Sequence, residues 1–108
     1  MAGTFTSYVV RNVGTSASTV MTVAAATTTT VIGLSVANTS VADITVSVYV
    51  TRSAVDYYVV KSAPVPAGST FILSGGDQKL VAITGDALKV VSSAATSADV
   101  IASVLELT

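Results

Sequence analysis

The 108 residues make one ordinary domain, read here as a single β-sandwich over residues 1–108, and two hydrophobic cores do not fit in that length. Charged residues are 10% of the chain against about 25% in an average soluble domain, and the net charge is −1. The five cations (Arg11, Arg52, Lys61, Lys79 and Lys89) are scattered, which excludes a phosphate-tracking stripe; no nucleic-acid partner is expected.

The chain lacks cysteine and histidine, so disulfides, thiolate sites, histidine metal sites and serine-histidine triads are all excluded. The segment Met-Ala-Gly-Thr-Phe-Thr has neither the positive region nor the apolar core of a signal peptide, and cytoplasmic synthesis is expected. Between Val20 and Ala37 the hydropathy is high, but Thr22, Thr27 to Thr30 and Ser35 interrupt it, so strands are expected and a membrane span is not.

In chain order, short strands are predicted at Tyr8 to Val13, Thr19 to Ala24, Val31 to Ala37, Ile44 to Thr51, Val55 to Lys61, Thr70 to Ser74, Lys79 to Ile83, Leu88 to Ser92 and Asp99 to Leu107. In the third, Ile32, Leu34 and Val36 are expected to face the core. The fourth gives the clearest alternation, with Ile44, Val46, Val48 and Val50 inward and Thr45, Ser47, Tyr49 and Thr51 outward. Asn38-Thr39-Ser40 reads as a hairpin turn between these two strands.

Further turns are expected at Val13 to Ser16, Pro64 to Gly68, Ser74 to Asp77 and Thr84 to Asp86, where Gly, Pro and Asp fix the dihedrals. The segment Lys61 to Pro66 holds both prolines and is expected to cross between sheets. Ser93 to Ala98 is too short for a stable helix and reads as a loop. Eight to nine short strands with frequent turns predict an all-β fold, an antiparallel β-sandwich or jelly roll.

The six acids (Asp43, Asp56, Asp77, Asp86, Asp99 and Glu106) lie at turns or strand ends, where solvated aspartates cap backbone amides. Nothing in their spacing selects a catalytic pair, and no acidic loop is dense enough for calcium. Gly75-Gly76 lacks the lysine and helix of a phosphate loop. No catalytic residue, metal or cofactor is expected, and the chain is read as a non-enzyme.

Low charge leaves sheet edges and faces poorly guarded, which points to association with partners or with further copies. The competing account is that serine and threonine supply the polar surface instead. Adjacent strand residues point oppositely, so one of Tyr57 and Tyr58 should be core and the other exposed. With Tyr49 and Arg52, that pair defines the expected contact patch, since Tyr and Arg concentrate at interfaces.

The succession Val31 to Thr39, Ile44 to Val50 and Asp56 to Lys61, continued by Ala63 to Ser69, Gly75 to Val81 and Thr84 to Val90, resembles small β-sandwich virion proteins of tailed bacteriophages of the marine and cyanobacterial type. The resemblance runs from about Val20 onward. It implies a capsid decoration or cement protein, or a neck, tail or baseplate accessory, with other virion proteins and further copies of itself as partners and the virion as its location. A carbohydrate-binding adhesin module, using outward tyrosines and loop aspartates, is the alternative from another class.

Overall fold

The computed structural model describes residues 3–73 and 80–108, and the expected Gly75-Gly76-Asp77 turn lies outside them. Nine strands form: β1 (Gly3–Val13), β2 (Ser18–Thr22), β3 (Thr28–Asn38), β4 (Ile44–Arg52), β5 (Val55–Val65), β6 (Thr70–Leu73), β7 (Leu80–Ala82), β8 (Ala87–Ser92) and β9 (Ala98–Leu107). Each overlaps one of the predicted segments, though β1 begins at Gly3 rather than at Tyr8 and β5 runs on past Lys61 to Val65, and Ser93 to Ser97 is loop. Among the described residues there is no helix.

The strands make two antiparallel sheets packed together. Sheet A runs β1-β9-β3-β6, with β7 also paired to β3, and sheet B runs β2-β8-β4-β5. Strand β6 pairs with Leu34 to Ala37 and β7 with Thr29 to Val31, so the two share one position beside β3. With that position counted once, the order is that of a jelly roll, two interleaved four-strand sheets. The high-hydropathy stretch from Val20 to Ala37 resolves into β2 and β3, strands of different sheets.

The core lies between the sheets. Sheet A contributes Val31, Leu34, Val36, Val100, Ala102 and Val104; sheet B contributes Ile44, Val46, Val48, Leu88 and Val90, all buried. Enclosing each of the larger side chains contributes roughly 1.5–3 kcal/mol, the main term opposing chain entropy.

The inward alternation of β4 is as expected. That of β3 holds for Leu34 and Val36 but not before them: Val31 is fully buried and Ile32 only partly. A bulge in the β3–β9 ladder, between the pairs Val31–Val104 and Gly33–Ser103, inserts one residue and shifts the phase of everything before it. The shift also carries Thr29 into the core, where its Oγ1 has no hydrogen-bond partner among the described residues. Thr29→Val is therefore expected to raise the unfolding free energy by about 1 kcal/mol in denaturant titrations. A loss of stability would show that the hydroxyl is satisfied.

The Asn38 turn is not a hairpin: β3 and β4 belong to different sheets, and residues 39–43 cross between them. Asn38 is 3% exposed, and its amide is fully used. Nδ2 donates to the Ala42 and Val65 carbonyls, each at 2.9 Å, and Oδ1 accepts from Ser40 N at 2.9 Å and Ser40 Oγ at 2.7 Å.

Nor does Pro64 sit in a crossing. It lies within β5, opposite Thr45, and is tolerated because β5 is an edge strand. The chain leaves sheet B just afterward, in a turn closed by Ser69 N donating to Pro66 O, with Gly68 at φ +75°.

The one hairpin of the described residues joins β4 and β5, where Arg52 pairs with Val55 around Ser53 and Ala54. Both loop residues have positive φ, 52° and 64°, the geometry of a type I′ turn, without the Asn-Gly pair that usually occupies it.

Candidate interaction surfaces

The expected patch divides once placed on this frame. Tyr49 lies on the outer face of sheet B but is only 8% exposed, because the Tyr58 ring covers it with centroids 4.9 Å apart, so it offers little area to a partner. Burial first, then the nearby Asp56 carboxylate, hold the Tyr49 phenol above its ordinary pKa. Lys61 Nζ caps the stack, 5.1 Å from the Tyr58 centroid.

Neither Tyr57 nor Tyr58 is core: they are 57% and 48% exposed. Tyr57, opposite Val50, does point to the inner side, but β5 is the sheet margin there. Its ring lines an open cleft of about 400 Å³ with Val50, Arg52, Val59, Leu80 and Val81.

Arg52 has a structural partner. Its Nε donates to Asp86 Oδ1 at 2.8 Å and its Nη2 to Oδ2 at 2.6 Å, a bidentate pair. Asp86 is 1% exposed, so the expectation that every acid is solvated fails here. The carboxylate also accepts from Ile83 N at 2.9 Å, fixing the turn into β8. The Arg52 guanidinium, and secondarily the Ile83 amide, hold the Asp86 carboxyl below its ordinary value despite burial. That turn is clasped to the β2–β3 crossing, since Val23 N donates to Asp86 O and Thr84 Oγ1 to Thr27 O, each at 2.9 Å. Among the described residues no three acids gather where they could hold a metal ion.

A larger surface emerges on the outer face of sheet A. Cross-strand register places Val9, Ile101, Ser35 and Ile72 in one row across β1, β9, β3 and β6. A second row, toward the other end, holds Phe5, Leu105, Thr30 and Val81. Between them lies a row of small residues, Ser7, Ser103 and Gly33. Phe5 is 76% exposed, Val9 and Ile72 are each 70%, Val81 52% and Ile101 51%.

Charge on this face of the described residues is confined to Arg11 and Asp99 at the Val13 end, whereas Lys61, Lys89 and Asp56 lie on sheet B. Four strand positions about 4.8 Å apart and up to eleven residues long give the sheet A face roughly 700 Å² in projection.

The sequence carries a signal for this face that alternation in β4 obscured. The strands of sheet A contain apolar doublets, namely Val9-Val10, Phe71-Ile72, Leu80-Val81, Val100-Ile101 and Val104-Leu105. A doublet puts one apolar side chain on each face, the pattern of a sheet covered on both sides. Comparison with family models, with curated proteins and with solved structures found no match.

Proposed function

We propose that the chain is a non-enzymatic structural protein of a tailed-bacteriophage virion, a capsid decoration or cement protein. It acts by laying the outer face of sheet A on neighbouring subunits. The observation that carries this reading is the pair of apolar rows on a sheet face whose charge, among the described residues, is confined to one end, since isolated monomers rarely gather that many exposed large apolar side chains on one face. Its roughly 700 Å² approaches the ~800 Å² per partner of a standard interface, and repetition over a shell multiplies modest contacts. The jelly roll is in keeping with it, as an analogy of fold, because capsid and lectin domains use that architecture.

The partners are then the major capsid protein or neck and tail proteins, without nucleic acid or membrane. The test is mass spectrometry of purified particles with copy number. Many copies per particle are expected; absence refutes the reading, and a dozen or fewer moves the protein to the neck or tail. Ile101→Lys should leave stability within about 0.5 kcal/mol of wild type, since Ile101 is half exposed, yet weaken binding to particles at least about tenfold.

The exposure of Tyr57 and Tyr58 beside the cleft supports a second reading, a glycan-binding adhesin. Glycan-array binding lost in Tyr57→Ala or Tyr58→Ala would favour it; no binding, or binding unchanged in both, would remove it.

A further inference from the structure

We infer that two copies of this chain join edge to edge through β1, antiparallel about a two-fold axis at Ser7, into one continuous sheet. This rests on the reading that sheet A is the associating side, but not on any place in a particle.

The two sheets have four margins. Strands at a margin present unpaired backbone groups and are normally blunted by brevity, proline, lysine or bulges. Three margins here are blunted. Strand β2 has five residues, and the margin beside β3 is divided between β6 and β7, of which four and three residues are described. Strand β5 is long but carries Pro64, Lys61 and a kink at Ser62, φ +55°, with two register shifts against β4.

The fourth margin, β1, has none of these devices over most of its length. It has eleven residues, no proline and no charge before Arg11, and its ladder to β9 is regular from Gly3 to Val10. Among the described residues no strand pairs with its other side. Its sequence, Thr-Phe-Thr-Ser-Tyr-Val-Val, is rich in residues that favour pleated pairing.

The occupant follows from side-chain parity. In an antiparallel pair directly opposed residues share a face, so a two-fold joint must centre on a residue. Centring on Ser7 sets Phe5 against the Val9 of the second copy, an aromatic against a β-branched side chain, and Tyr8 against Thr6. The row Ile72, Ser35, Ile101, Val9 then runs on into the other copy's Phe5, Leu105, Thr30 and Val81. Centring on Thr6 or Tyr8 instead sets Ser7 against Phe5 or Val9 and breaks the apolar rows. The joined face doubles to roughly 1,400 Å², broad enough to span two neighbouring subunits.

The chain has no native thiol, so a single introduced cysteine reports on register alone. In Ser7→Cys the two thiols face each other across the axis, within disulfide reach. In Ser103→Cys, on the same face one strand inward, they are held apart. Sedimentation should show a dimer for wild type, and mild oxidation should cross-link Ser7→Cys and leave Ser103→Cys unlinked. A monomer at every concentration overturns the inference, as does a dimer that links at Ser103 and not at Ser7, which would indicate stacking of faces. A dimer with this linkage from a protein absent in particles keeps the joint and removes the virion role; a particle-bound monomer does the reverse.

Discussion

Asp86→Ala is expected to lower the unfolding free energy by about 3 kcal/mol, a drop in melting temperature on the order of 10–15 °C. The carboxylate is buried and gathers a bidentate arginine and a backbone amide, so its removal frees the turn into β8 and its clasp on the β2–β3 crossing. The pH dependence separates this cause from simple loss of packing. Because the folded carboxyl titrates below its ordinary value of 3.8, its contribution is complete above that value and disappears as pH falls through the lower, folded one.

The gap between wild type and Asp86→Ala should therefore be constant from neutrality to about pH 4 and close only below it. Arg52→Met leaves a buried carboxylate without its cation, and burial then raises its pKa, so this deficit should begin to shrink at a higher pH than the Asp86→Ala gap does. Parallel curves for the two variants would show that the pair does not act through charge.

Asn38→Ala is expected to cost about 3 kcal/mol, because the Val65 carbonyl loses its buried amide donor and the 39–43 crossing loses both its anchors. Asn38→Asp should be worse at neutral pH. It replaces two N–H donors with a carboxylate aimed at the Ala42 and Val65 carbonyls. Acidification should recover part of that loss, since the protonated acid can donate once. Guanidinium unfolding at two pH values measures both effects. An alanine variant within about 0.5 kcal/mol of wild type would mean that the crossing holds itself.

These two residues mark the limit of what the amino-acid string discloses. All nine strands could be read from it, because β-branched alternation and turn residues are local properties. The phase of β3 could not, since the bulge near Ile32 is imposed by pairing with β9, about seventy residues away. Asn38 and Asp86 both look like ordinary turn residues, and only the meeting of crossings at the ends of the sandwich makes them buried anchors.

Ser53-Ala54 carries no turn signature although it makes the β4–β5 hairpin. The tyrosine patch was legible as composition but not as geometry: Tyr58 covers Tyr49, Arg52 is held by Asp86, and Tyr57 lines a cleft. The apolar outer face of sheet A was written in the doublets of β1, β6, β7 and β9, but their meaning depends on which strands are neighbours.

The strand order also governs how the chain reaches its native state. Apart from the β4–β5 hairpin, every ladder of the described residues joins strands that are not successive, and β1 is matched to β9, with Gly3 opposite Leu107. Large loops must close before those ladders return any stability, which places folding on the slow, millisecond-to-second side of small domains. Among the described residues the β4–β5 ribbon is the one piece able to form from neighbouring sequence, and its Ser53-Ala54 bend therefore sets how soon the remaining strands find a template.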